Sequence, residues 1–214
     1  MHDRFIDISY QMTPEMAIYP GNPGFTAIRT SDIEKGGKAN VSCITMGSHT
    51  GTHMDAPLHF ISGGESIDQL PLDRMNGRAI VADVTGHSEI SREMLEKLPI
   101  GKGDIVLFRT DNSLSWNCDR ILDDHVTLTY DAADYLAEKG IKMAGIDYLT
   151  IERPRSRRTP GKSVHLSLLK NGVLIVEGLA LKDADEGEYE FFCMPLAIKG
   201  LDGCPVRCAL KKID

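Results

Sequence analysis

An α/β fold, built on a mixed sheet able to close on itself and flanked by helices, is what this 214-residue sequence predicts. Three observations carry that expectation. Apolar, β-branched runs recur along the whole chain, and helical patterning is confined to short stretches between them. From residue 104 to 179 the two alternate as strand, helix, strand, helix, strand, the order that right-handed crossovers turn into parallel pairs. The strand-rich ends then add antiparallel or mixed partners. No repeat, low-complexity tract or linker divides the chain, so residues 1–214 are expected to form one domain.

In chain order, strands are expected near residues 5–9, 24–30, 39–47, 78–84, 104–110, 141–147, 173–179, 189–196 and 205–211. The first helix is expected over 91–98, with Ser91 as its cap and Pro99 as its stop. A second runs over 130–139 between Thr129 and Gly140, and a third from Ser163 to Lys170, ending at Asn171-Gly172.

A formal net charge of −7 describes an acidic surface, which repels phosphate backbones and anionic head groups. Nucleic acid and membrane are therefore not expected as partners; a small-molecule substrate is. The N-terminal stretch MHDRFIDISYQMT holds no apolar segment of signal-peptide length, and no run is long enough to span a bilayer, so a cytoplasmic location is expected. Five scattered cysteines, an odd number, are expected as reduced thiols. Among them Cys204 and Cys208 lack the second cysteine pair that a tetrahedral zinc site needs. The basic run Arg153 to Arg158 contains a proline and is expected in a solvated loop rather than in a site for an anionic substrate.

Chemistry concentrates in the segment Ser48-His49-Thr50-Gly51-Thr52-His53-Met54-Asp55-Ala56-Pro57-Leu58-His59-Phe60. His49 and His53 are four apart, but Thr50, Gly51 and Thr52 disfavour a helix and Pro57 forbids its continuation, so a loop is expected. A glycine at 51 lets the loop turn tightly enough for both imidazoles to converge on one ion, with Asp55 adding an oxygen. Two imidazoles and a carboxylate leave positions open to water, which deprotonates near neutral pH when bound to such an ion. A closed metal site or a hydrogen-bonded polar turn is the alternative. His59 suits proton transfer to a leaving group, with a core histidine beside Phe60, or a further ligand, as the other options. Glu177 ends the apolar run Val173 to Val176 and needs a partner there, either a cation or an arginine such as Arg207. For His165, spacing alone favours a core or capping role.

The segment HTGTHMDAPLHF resembles the signature of the cyclase family that includes bacterial kynurenine formamidases and isatin hydrolases. Further blocks resemble the family in the same order: Ile18 to Pro23, Leu70 to Asp73, Ile175 to Leu179, Met194 to Leu196, and Gly203 to Arg207. The resemblance implies that His49, His53 and Asp55 bind a first divalent ion and that Asp55 bridges to a second held by His165 and Glu177; the mixture of nitrogen and oxygen ligands suits zinc or manganese. It places His59 as the catalytic proton donor and acceptor, and it implies a swivelling β/β/α architecture and a homodimer. Tyr19 stands where the formamidases carry a pocket-lining tryptophan, Asn22 where an aspartate is common, and Arg109 to Ser113 with Trp116 looks more like other branches. The expected activity is hydrolysis of a small amide, an arylformamide or cyclic amide. A metal-assisted cyclase or dehydratase and a non-catalytic metal-dependent binder are the alternatives.

Overall fold

Alternating apolar residues in the longest runs of the chain let each strand present one face inward and one outward, and the fold uses both faces. The computed structural model describes residues 5–114, 124–154 and 157–213. Its strands are β1 (Ile6–Asp7), β2 (Thr26–Ser31), β3 (Val41–Thr45), β4 (His53–Asp55), β5 (Gly77–Asp83), β6 (Glu89–Ile90), β7 (Ile105–Arg109), β8 (Thr127–Leu128), β9 (Met143–Ile146), β10 (Leu174–Glu177), β11 (Gly187–Pro195) and β12 (Gly203–Lys212). The α-helices are α1 (Arg92–Leu95), α2 (Tyr130–Lys139) and α3 (Val164–Lys170).

Strands β5, β7, β9 and β10 lie side by side and parallel, as the strand-helix alternation predicts. Antiparallel β4, β12 and β11 complete the circuit from β10 back to β5, so seven strands close into a barrel-like ring. Inward residues of these strands, among them Met54, Val81, Leu107, Met143, Val176 and Cys208, form one core. Outward residues such as Ile80, Phe108, Ile146 and Ile175 form a second with Ala132, Ala133 and Leu136 of α2 and Leu168 of α3. Helix α2 is framed as expected: the Thr129 side chain accepts the Ala132 N–H, and Gly140 takes the left-handed cap.

The structure departs from expectation in three places. Residues 53–55 form β4, a strand three residues long paired on both edges, where a loop was expected beyond residue 47. So short a run carries no readable period. Helix α1 is a single turn, and the Ser91 side chain makes no capping hydrogen bond. Strands β2 and β3 stand apart as a two-stranded ribbon rather than joining the ring. Cys43, Cys193, Cys204 and Cys208 are free thiols, the last three buried; Cys118 and Trp116 lie outside the described residues. No helix among the described residues is long and apolar enough to cross a membrane.

Candidate metal centre

Gly51, at φ +65°, turns the chain into β4. Thr52 fastens the turn, its hydroxyl donating to the Gly178 carbonyl at 2.5 Å and accepting the Tyr10 N–H at 3.0 Å. Within β4 the side chains then alternate: Met54 enters the inner core, and His53 and Asp55 face outward. Register sets His53 opposite Glu177 of β10, and Asp55 opposite Gly203 of β12. Gly178 takes the left-handed conformation (φ +68°) that ends β10 just after Glu177. His165 comes from the first turn of α3, whose N-cap Ser163 accepts the Leu166 N–H.

The other four expected ligands gather around Asp55. His49 Nδ1 lies 2.8 Å and His53 Nε2 3.5 Å from Asp55 Oδ1, and His165 Nε2 lies 3.6 Å from Asp55 Oδ2. Glu177 meets His53 Nε2 at 3.4 Å and His165 Nε2 at 3.1 Å, and accepts the Ile151 N–H at 2.7 Å. Among the described residues, two groups of three potential ligands have their donor atoms within 4.8 Å of one another: His53, Asp55 and Glu177, and His49, Asp55 and His59. His49 and His53, expected to converge on one ion, have ring centroids 5.1 Å apart. Arg207 is not the partner of Glu177: it is exposed on β12 and pairs with Asp7.

Each of the imidazoles of His49, His53 and His165 has one nitrogen turned outward to an oxygen. His53 Nδ1 lies 3.0 Å from the Gly51 carbonyl, His165 Nδ1 2.7 Å from Glu152, and His49 Nε2 2.9 Å from Asp202. The other nitrogen faces the carboxylates. An outer acceptor that fixes the tautomer and an inner lone pair is the arrangement of metal-ligating histidines. Asp55 Oδ2 is buried with no hydrogen-bond partner, a costly state that a cation beside it relieves. The donor set therefore fits a divalent ion.

Charge in the ion-free cluster is balanced by protons. Burial disfavours the charged ring of His165, but Glu177 and Glu152 outweigh it and raise its pKa to about 10. Burial likewise opposes charging His49, and the hydrogen bonds to Asp55 and Asp202 lift it to about 9. Burial pushes Asp55 up, yet His49 and the neighbouring imidazoles hold it below the usual carboxylate range. Burial dominates at His59 and lowers its pKa, so that ring is neutral at pH 7. His59 is 29% exposed, stacks on His49 at 3.9 Å between centroids, and has Nδ1 3.4 Å from Asp202. Phe60 stacks flat on His165, with centroids 4.6 Å apart and 9° between planes.

Sequence reasoning missed Asp202 and Glu152. Glu152 opens the basic run and is buried, accepting from Val164 N and Ser163 Oγ, with Arg158 3.6 Å away. Within the basic run, exposed Arg153 pairs with Glu89, as a solvated loop predicts, whereas Arg158 is half-buried; residues 155–156 lie outside the described residues. Asp202 is polar in a turn and gave no signal beyond standing before the Gly203 block. Tyr19 is half-buried, and its carbonyl accepts the Asn22 N–H at 2.9 Å. The segment ahead of it covers the ligand loop, since a side chain at Gly51 would meet Met12 and Met16 at 3.3 Å.

Comparison with known proteins agrees with the geometry. The Cyclase family model matches residues 6–153. The chain is 32% identical over 209 residues to a kynurenine formamidase of Bacillus thuringiensis subsp. konkukian, covering 98% of each. Among solved structures, one described as a potential metal-dependent hydrolase with cyclase activity superposes with a TM-score of 0.82 at 35% identity, over 99% of this chain and 98% of that one. Isatin hydrolase A of Labrenzia aggregata, bound to benzyl benzoate, superposes at 0.85 with 25% identity, over 99% and 94%.

Proposed function

This chain belongs to the Cyclase family, and from that premise we propose that it hydrolyses a small amide, an arylformamide or cyclic amide, as a metal-dependent hydrolase of carbon–nitrogen bonds. The observation that carries the reading is the unsatisfied, buried Asp55 Oδ2, set among imidazoles whose outer nitrogens are all engaged.

His49, His53, Asp55, His165 and Glu177 hold one or two ions, and the mixed nitrogen and oxygen set suits zinc or manganese. When bound, such an ion polarises the substrate carbonyl and acidifies a water towards neutral pH. The chain supplies the rest. His59, neutral and partly exposed beside this cluster, takes a proton as water attacks and returns it to the departing nitrogen, so the amine leaves uncharged. Phe60 fixes the His165 ring and keeps solvent from that side of the site. Tyr19, in the segment that follows the loop cover, lines the substrate pocket.

The family resemblance also implies the swivelling β/β/α arrangement and a homodimer, and the composition of the N-terminal stretch is what suggests a cytoplasmic location. Support for the dimer comes from the β2–β3 ribbon, which exposes Ile28, Val41 and Ile44. The test is to load the protein with zinc or manganese, supply N-formylkynurenine, isatin and simple esters, and follow release of the acid. Acid release from an amide that depends on the ion supports hydrolysis. Turnover without water uptake favours a cyclase or dehydratase, and tight binding without turnover favours a ligand-binding protein.

A further inference from the structure

We infer that Asp202 is a positioning residue which ties the proton-transfer histidine to a ligand histidine through one shared carboxylate; this rests on the hydrolase reading above. Three contacts define it. Asp202 Oδ2 stands 2.9 Å from His49 Nε2 and 3.4 Å from His59 Nδ1, and Asp202 Oδ1 accepts the Ser48 hydroxyl at 3.0 Å. One oxygen thus serves two imidazoles of different duty, and Ser48 holds the other.

The surrounding backbone is shaped for this. Asp202 precedes Gly203, and a Cβ at Gly203 would fall 2.6 Å from His49 Cε1 and 2.8 Å from the Met54 carbonyl. Only a residue without a side chain lets the His49 ring lie against β12, and His59 stacks on that ring at 3.9 Å between centroids. The Ala56 N–H donates to the Asp202 carbonyl at 2.9 Å, which ties residue 202 to the end of β4. Asp202 is therefore fixed by its own main chain, not by the two imidazoles it orients.

Two consequences follow at named atoms. With its Nε2–H given to Asp202, His49 presents Nδ1 to Asp55 and hence to an ion. With its Nδ1–H directed at the same oxygen, neutral His59 keeps the Nε2 lone pair for the reacting proton, the division of labour seen wherever a carboxylate orients a catalytic imidazole. Asp202 touches neither substrate nor reacting atom. It sets the tautomer of the group that does.

The experiment uses the zinc-loaded full chain and the substitutions Asp202→Asn and Gly203→Ala. Asparagine keeps the size of the side chain but is uncharged, so the one oxygen that faces both N–H groups becomes a weaker acceptor for each. Long-range proton–nitrogen NMR of the histidine rings is expected to show His59 with its proton on Nδ1 in the parent and a mixture of tautomers in Asp202→Asn. Metal stoichiometry and melting temperature should stay at parental values, while kcat falls about 10–100-fold, as for loss of an orienting partner, with KM moving much less. Gly203→Ala is expected to disturb the His49 ring signals while Asp202 is intact. The inference is overturned if the His59 tautomer is unchanged in Asp202→Asn, or if that variant loses an equivalent of zinc and so marks Asp202 as a ligand. Because the tautomer is read without turnover, failure of the amide panel would sink the hydrolase reading and leave this one decided on its own evidence.

Discussion

Glu177 shows how a single side chain separates two accounts of a buried charge. Its carboxylate is 3% exposed and touches His53, His165 and the Ile151 amide, and the arginine once available as its counter-charge pairs elsewhere. Glu177→Gln is therefore expected to lose about one metal equivalent and to lower activity by more than the ~10–100-fold typical of an outer partner, with the fold retained. Metal analysis and a melting curve on the same sample check it; a full metal complement with a lowered melting temperature would argue against ligation. His59→Ala should behave differently, lowering kcat by about 10²–10⁴-fold with metal content unchanged, because the proposed role of the ring is to move a proton rather than to hold the ion. Loss of metal in that variant would make His59 a ligand, a role its place beside His49 and Asp55 also permits geometrically.

Elements decide which of these residues meet. Strands β5, β7, β9 and β10 are legible in the sequence because each is an apolar run between turn signals, and α2 and α3 because each carries its own cap. Strand β4 is not, since His53-Met54-Asp55 has one apolar residue between two polar ones and only pairing on both edges makes it a strand. The candidate motif from His49 to Asp55 stands out by residue type and spacing, whereas Asp202 and Glu152 reach the same cluster through long-range contacts that no local pattern records. Gly145 on β9 offers a test of how tightly the ring is filled. A Cβ there would lie 2.6 Å from Leu107 Cδ2 and 2.8 Å from both Leu179 Cδ1 and Val176 Cγ1. Gly145→Ala should destabilise the fold by about 1–3 kcal/mol through overpacking, read as a lower urea midpoint at unchanged slope.

For the whole molecule, the ion and the proton compete for one cluster. At pH 7 the ion-free protein carries protons on His49 and His165, whose pKa values stand at about 9 and about 10, so ion binding must release them. Affinity is expected to rise with pH up to that range, and titration calorimetry in buffers of different ionisation enthalpy should detect proton release at pH 7. The same shifts set the stability of the ion-free form. Raised folded-state values mean that the stabilisation from His49 and His165 is fully present below their ordinary 6.5 and is lost as pH rises through 9 and 10. Asp55 and Glu177 are lowered, so their contribution is present above the ordinary carboxylate range and is lost on acidification. After chelation the melting temperature should thus decline on the alkaline side of pH 6.5, and a rise there would contradict the cluster as described. Light scattering at micromolar concentration tests the dimer, for which the exposed ribbon of β2 and β3 is the proposed seat.

Strand β4 joins β10 to β12 through three residues, two of which are proposed ligands and the third part of the inner core. It is the clasp of a bracelet whose other links are longer, and its grip is shared between backbone pairing and whatever sits among His53, Asp55 and Glu177. Removing the ion does more than empty a pocket: it loosens the clasp, and the ring then has a place to spring open. Amide protons of β10 and β12 along that seam should be the first in the barrel to exchange with solvent after chelation, well before those of β5 and β7 on the opposite arc.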